Sequence, residues 1–378
     1  MQGSKHSSKP SILKTIYLFY ELIQVNLCVR QKLSHTPSAK EWAELSALSQ
    51  KQAVAGVTFL ALEKLSKEGQ KPPLPILYEW IALSEQIKQQ NEWVNRNAVG
   101  LCKILNDDGF ECCILKGQGN NLMYPNPWAR MPGDIDVWLR NGKSKKKEVR
   151  DIIEYVKRRN PKGIACYHHI DYGLFNGTEV EVHYRPSFMF NPTHNSRLQK
   201  WFCAHASEQF QNKAVLPGDA GEVCVPTACF NVIFQLSHMY NHLLHEGLGF
   251  RQILDYYYVL KSNTNRMDNA NICNTLRYLR LEKIAGAMMW VLHEKLGLPE
   301  EYLIAPMDER RGRVLLGEII KGGNFGHYDE DNVKANSRFK KNIQRVKRDI
   351  RMMRYFPSEC LWEPVFRVYH YFWRRWRA

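Results

Sequence analysis

Apolar side chains recur at helical spacing through the first third of the chain. One run holds Trp42, Leu45, Leu48, Ala53, Val57, Leu60 and Leu62, and a second holds Leu77, Trp80, Ile81, Ile87, Val94, Leu101 and Leu105. Positions three and four apart share a helix face, so both runs predict amphipathic helices. Ile12, Ile16, Phe19 and Ile23 repeat the pattern ahead of them, and Pro72, Pro73 and Pro75 separate the two longer runs. Prolines so placed suit a helix stop followed by a new start. The period changes at Gly109. Residues 111–115 and 134–139 read as short strands, and residues 143–159 as a charged helix with Val149, Ile152, Ile153 and Val156 inward. Residues 168–175 and 178–184 are strand-like runs joined by Asn176-Gly177, a favoured pair for a two-residue hairpin turn. From Pro192 to Arg354 the helical period returns, broken at Leu216-Pro217-Gly218 and at residues 321–326. The latter segment reads as a helix cap and loop, since no strand precedes it.

This order predicts an α+β chain with a small mixed-sheet core flanked by helical regions. Its parts are a disordered start over 1–10, an N-terminal helical region over 11–107, and an α/β core over 108–190. A C-terminal helical region over 191–333 and a basic, aromatic tail over 334–378 complete it. Of the net charge of +15 over 378 residues, +10 falls in that tail, where 13 Lys and Arg meet 3 Asp and Glu. No apolar run approaches the roughly 20 residues of a membrane span. No small-residue cleavage site follows the apolar stretch at 12–29, which argues against a secretory leader. Ten cysteines without a C-x-x-C pair do not make a disulfide framework. The expected setting is cytoplasmic, with the tail a candidate for association with a membrane surface.

The chemistry centres on residues 115–138. Neighbours two apart on a strand share a face, so Asp134 and Asp136 project to one side while Ile135 and Val137 enter the core. Two carboxylates that close repel unless a cation stands between them. Magnesium suits the place, because it takes oxygen ligands from one or two carboxylates plus substrate phosphates. The spacing alone also occurs on solvent faces of edge strands, but three features add to it. Gly117 and Gly119 flank a tight strand-to-helix turn whose backbone N–H groups can receive phosphate. Lys116 and Arg130 bring cations to that turn. Glu179, Glu181 and His183 share one face of a later strand, with Tyr172 expected opposite Glu181, Ile170 opposite His183, and His168 further along.

These motifs resemble the nucleotidyltransferase (polymerase-β-like) superfamily, and most closely a bacterial branch labelled uncharacterised nucleotidyltransferases. The matching residues are Leu115-Lys116-Gly117, the Tyr-Pro-x-Pro-x-x-Arg segment from Tyr124 to Arg130, Asp134-Ile135-Asp136 and Val180-Glu181-Val182-His183. The likeness continues at His238, His242 and residues 249–255, and covers most of residues 40–375. One departure stands out: Gln118 follows Gly117 where the superfamily usually has a serine that touches the triphosphate.

The resemblance implies transfer of a nucleoside monophosphate from a nucleoside triphosphate to a hydroxyl, with two magnesium ions and release of pyrophosphate. Asp134 and Asp136 would hold one ion, and Glu181 would share the second or act as base, with Glu179 in reserve if the register differs by two. Lys116, Gly117, Gln118, Gly119 and Arg130 would bind the nucleotide. The acceptor, whether small molecule, protein or RNA, is not specified. His183, His238, His242, Arg251 and Asp255 are candidate acceptor or supporting contacts, and Arg251 and Asp255 most simply form an i,i+4 ion pair. His238, His242 and His245 have the spacing of a zinc half-site. Only Glu246 lies near as a partner, so histidines facing the catalytic side are the simpler reading. A silent binding module and a metal-dependent phosphohydrolase are the alternatives. The tail, with Phe339, Ile343, Val346, Ile350 and Met353 at helical spacing, is expected to dock on the body or to meet anionic lipid or RNA through 338–377.

Overall fold

The structure, a computed structural model, describes residues 9–262, 269–324 and 338–377. Helices α1 (Lys9–Asn26), α2 (Ala39–Lys51), α3 (Ala55–Lys67) and α4 (Leu74–Asp107) form the N-terminal region. The periodic run from Trp42 to Leu62 is two helices, because the chain turns at Ala53 with φ +55°. Trp42, Leu45, Val57 and Leu62 are nonetheless all buried in one core. Helix α3 passes directly against a 3-10 turn at Pro127–Ala129. A Cβ at Gly56 would collide with the Ala129 carbonyl oxygen, so only glycine permits that approach.

The core sheet has strand order β1-β2-β4-β3, from β1 (Glu111–Ile114), β2 (Ile135–Arg140), β3 (His169–Phe175) and β4 (Thr178–His183). Strand β2 runs antiparallel to β1 and parallel to β4, and β3 is antiparallel to β4. Between the strands lie a four-residue helix α5 (Gln118–Asn121) and α6 (Lys145–Arg159). Ile114, Ile135, Val137, Ile170, Val180 and Val182 turn to one face, where they pack with Val94, Leu101 and Leu105 of α4 and with Val149, Ile152 and Val156 of α6. The alternation leaves Asp136, Trp138, Glu181 and His183 on the opposite face.

The Asn176-Gly177 turn is as expected, with φ values of +47° and +80° and Phe175 opposite Thr178. The register beyond it is not. The pairing shifts between Asp171 and Gly173, so Tyr172 is an extra residue and Gly173 takes φ +92°. Asp171 therefore lies opposite Glu181, and His169 opposite His183, in place of Tyr172 and Ile170. Bulges of this kind re-aim side chains, and here the re-aimed pair joins the polar face.

The C-terminal region begins with α7 (Pro192–Ala204) and α8 (Ala206–Gln209). Where only a break between helices is expected, the chain forms a hairpin of β5 (Lys213–Leu216) and β6 (Gly221–Cys224). Strands of four residues are too short to imprint a period on the sequence, yet Leu216 and Val223 enter the core beneath the sheet. There follow α9 (Ala228–His245), α10 (Phe250–Lys261), α11 (Asn269–Leu279), α12 (Glu282–Leu296) and α13 (Glu309–Gly322), then α14 (Arg338–Met353) and α15 (Pro357–Arg377). Helix α13 ends at Gly323 with φ +63°, the expected cap, and residues 325–337 lie outside the described residues, as do residues 1–8 of the expected disordered start.

The tail docks. Met352, Phe356, Cys360 and Trp373 are buried, and Phe366 stacks on Phe188 with centroids 4.9 Å apart. The Glu359 carboxylate accepts the N–H groups of Phe190 and Asn191 at 2.6 and 3.1 Å. Leu361, Val365, Val368 and Phe372 form an outward stripe, each more than half exposed. Among the described residues no helix is long and apolar enough to cross a membrane. All ten cysteines are free thiols.

Candidate active site

The polar face of the sheet and helix α9 enclose a cleft of about 530 Å³, lined by Lys116, Gly117, Asn120, Asp134, Asp136, Gln235, His238 and Arg251 among others. Asp136 and Glu181 sit side by side because β2 and β4 pair in parallel with those two residues in register. The Asp136 Oδ1 lies 2.9 Å from His183 Nε2 and 3.1 Å from Lys116 Nζ. Its Oδ2 is buried and has no hydrogen-bond partner among the described residues. Glu181 Oε2 is 3.4 Å from His183 Nε2 and 3.5 Å from His169 Nδ1. Ligand atoms of Asp136, Glu181 and His183 all fall within 4.8 Å of one another. These residues fit a divalent cation, since a carboxylate oxygen left unpaired inside a protein is costly unless something positive is meant to meet it. Asp134, half-buried just before β2, belongs to none of the three such groups among the described residues.

The charges are mutually adjusted. Burial would lower the Lys116 amine, but Asp136, Asp134 and Glu181 outweigh it and hold it above its usual range. Burial would likewise lower His183, yet hydrogen bonds to Asp136 and Glu181 raise it to about 9. Burial would raise Glu181, but His183 and His169 bring it down to about 2. His238, 3.1 Å from Lys116 Nζ, is pushed well below its ordinary value by burial and by that amine. It is a neutral ring that accepts the lysine N–H.

Several expected nucleotide contacts face elsewhere. Gln118 is buried and donates to Asn95 Oδ1 at 3.1 Å, so its side chain points into α4, away from the cleft. A Cβ on Gly119 would meet Val225 at 3.2 Å, so that glycine answers close packing. The helix that follows Gly117 has only four residues, too few for an appreciable dipole. Arg130 lines the cleft, but its guanidinium forks onto Asp255 at 2.7 and 2.9 Å, where Tyr124 Oη also donates at 2.7 Å. Asp255 makes its buried fork with Arg130, and Arg251, one helical turn before it, also acts on that carboxylate. Arg251 lies over Gly133 and donates to the Met131 and Pro132 carbonyls, bracing the segment that leads into Asp134. His242 meets Glu246 at 3.1 Å, and His238, His242 and His245 form no metal-like group among the described residues. Glu179 is exposed opposite Leu174, whereas Glu181 is the residue in register with Asp136.

Four contributors escaped the sequence reading. His169 and Asp171 reach the site through the bulge, and the His-His-x-Asp spacing at 168–171 was their only trace. Asn91 donates to the carbonyls of Trp128 and Arg130, and accepts from Asn121 at 2.7 Å. Asn95 joins Gln118 to the Pro217 carbonyl. Two asparagines on the buried face of α4 thus pin the glycine turn, the Arg130 segment and the β5–β6 turn. Polar residues inside an apolar stripe are the signal that would have found them.

A second cavity, of about 1040 Å³, adjoins the cleft and shares His238 and His242 with it. Its walls include His168, His169, Phe188 and His245 on one side and Arg345, Phe366, Arg367, His370 and Arg374 of the tail on the other.

The profile of a family described as uncharacterised nucleotidyltransferase matches residues 38–297. Among solved structures, the chain is similar to an antigenic nucleotidyltransferase-like protein from Paracoccidioides brasiliensis, at 10% identity and a TM-score of 0.31, over 61% of this chain and 97% of that one. So loose an overlap places no residue. No curated protein matches the chain.

Proposed function

The chain belongs to the uncharacterised nucleotidyltransferase family, and from that premise we propose that it moves a nucleoside monophosphate from a nucleoside triphosphate to an acceptor hydroxyl, releasing pyrophosphate. The observation that carries this reading is the in-register pair of Asp136 and Glu181 on parallel strands, with one buried carboxylate oxygen of Asp136 unpartnered. Asp136 and Glu181 would hold the divalent cation, with Asp134 at the mouth of the site. When bound, the cation supplies neutralisation of triphosphate charge and polarisation of the attacking oxygen.

The chain's own groups account for the rest. Lys116 keeps its proton at any physiological pH and stands at the cleft wall to meet phosphate oxygens. Glu181, ionised down to about pH 2, acts by charge and hydrogen bonding and is a poor store for a proton. A neutral imidazole is the better acceptor of the hydroxyl proton. His169, 3.5 Å from Glu181 and on the wall of the second cavity, is held below its ordinary value by burial and fits that role. The acceptor would enter through the second cavity and the triphosphate through the cleft, with His238 and His242 between them.

The test is to incubate the full chain with each α-labelled nucleoside triphosphate and a divalent cation, then follow pyrophosphate and the label on the chain, on RNA and on small molecules from extract. Pyrophosphate release with label transfer, abolished in Asp136→Asn, is the expected result. Stoichiometric binding without turnover would mark a silent module, and release of phosphate alone a hydrolase.

A further inference from the structure

We propose that the cation site is a mixed set of two carboxylates and one imidazole, Asp136, Glu181 and His183, and that it therefore prefers a borderline transition ion such as Mn2+ to Mg2+. The inference uses the carboxylates of the proposed transfer, and rests on that reading only for their catalytic purpose.

His183 closes strand β4 and is fully buried. Its Nδ1 faces the Arg185 carbonyl at 3.4 Å, a group that can only accept, so Nδ1 carries the hydrogen and Nε2 is the nitrogen left to meet the site. Nε2 faces Asp136 Oδ1 at 2.9 Å and Glu181 Oε2 at 3.4 Å. Both are acceptors as well. Three lone-pair atoms converge within 4.8 Å, which is stable only with a cation among them, a proton in the free chain or a metal ion in the bound one. Lys116 approaches Asp136 Oδ1 alone, at 3.1 Å. The other oxygen of that carboxylate, on a residue 1% exposed, has no partner among the described residues.

An imidazole steadied by a backbone carbonyl through its second nitrogen is the usual arrangement of a metal-ligating histidine. Magnesium favours all-oxygen coordination and keeps its waters. A nitrogen ligand raises affinity along the transition series, so replacing one oxygen by His183 Nε2 shifts preference away from magnesium. The alternative is a histidine that only hydrogen-bonds the two carboxylates, with metal held by oxygen alone.

The experiment titrates the full chain, without nucleotide, with Mn2+ and separately with Mg2+ by calorimetry, and records pulsed EPR of the Mn2+ form. The expected result is Mn2+ bound at least tenfold more tightly than Mg2+, with nitrogen modulation of a directly bound imidazole. In His183→Gln the modulation should vanish and Mn2+ affinity should fall at least tenfold, with Mg2+ affinity within about threefold, as loss of a nitrogen ligand requires. The modulation in the unaltered chain decides the matter even if the variant fails to fold. Bound Mn2+ with no nitrogen coupling, or equal affinity for the two ions, overturns the proposal. Nitrogen coupling in a chain that transfers no nucleotide would leave this ligand set standing and remove the transferase reading. Label transfer in a chain without coupling would do the reverse.

Discussion

Replacing Asp255 by alanine is the sharpest test of how the cleft is held in shape. Asp255 and Arg130 are each 4% exposed, and their fork is closed by two bonds of 2.7 and 2.9 Å. Burial alone would raise the Asp255 carboxyl, but Arg130 outweighs it and holds it below the usual carboxylate range. A depressed carboxyl stabilises the fold at neutral pH, and that contribution is lost as pH falls through the lowered value. Removing the carboxylate leaves Arg130 buried and uncompensated, with the Arg251 guanidinium close enough to repel it. Loss of one partner of a buried pair costs about 3–5 kcal/mol. With a denaturant slope of about 3 kcal/mol per molar urea, that is a midpoint shift of about 1–1.7 M. Tryptophan fluorescence against urea reads it directly. The double variant Arg130→Met/Asp255→Leu should recover most of the loss, because an apolar pair of similar volume needs no compensation. A loss under about 1 kcal/mol in Asp255→Ala, the range of exposed pairs, would refute the reasoning. So would normal stability combined with lost turnover, which would return Asp255 to the acceptor-contacting role expected from the sequence.

Two further outcomes follow from the packing around the site. Gly56→Ala would drive a Cβ into the Ala129 carbonyl; a loss of about 1–3 kcal/mol is expected from such overpacking, measured as a lowered thermal midpoint, and an unchanged midpoint would remove the close contact from the account. Burial and the nearby Glu363 push Asp349 up to about 7. The folded chain then keeps a proton that the unfolded chain has lost between about pH 4 and 7, so stability should fall across that window and level off above it, on the order of 2–4 kcal/mol in all. Urea midpoints at pH 5 and pH 8 should differ in the native chain and converge in Asp349→Asn.

What was legible in the sequence was whatever short-range pattern specifies. Val149, Ile152, Ile153 and Val156 had the helix period and are the buried face of α6. Asn176-Gly177 named its own turn. Asp136 and Glu181 could be matched from strand alternation and a family resemblance, and they lie in register. The features that escaped are those decided by contacts distant in the chain. Arg130 and Asp255 are 125 residues apart, and nothing near either one announces the other. The bulge at Tyr172 depends on Gly173, whose Cβ position faces the Asn160 side chain at 3.3 Å. A substituent there would disturb both the turn and the register, and that constraint is invisible along the strand itself. Gln118 looked like a phosphate contact because it follows Gly117, but its amide answers two asparagines on α4 that periodicity treats as noise.

The uneven charge takes on a different meaning once the tail is docked. Read along the sequence, 13 Lys and Arg among the last 45 residues suggest an arm for polyanions. In the fold, three of the described ones are engaged by the body or by acids, while Lys347, Arg354, Arg374 and Arg375 stay exposed. Arg351 meets Glu318 on α13, Arg348 is buried, and Arg367 pairs with Glu363 and approaches Asp349 at 3.8 Å. Within the second cavity three arginines stand against two glutamates, so its fixed charge is small. Two of its histidines add none, because burial holds His245 at about 3 and, with Arg374, His370 at about 4. Both rings are neutral at physiological pH. Arg367 thus ties α15 to α14, and beside these charges the cavity carries aromatic surface from Tyr167, Phe188 and Phe366. On the proposed transfer, an acceptor entering this cavity would meet ring surface and little net charge, while the exposed Lys347, Arg354 and Arg375 of the tail lie outside that demand.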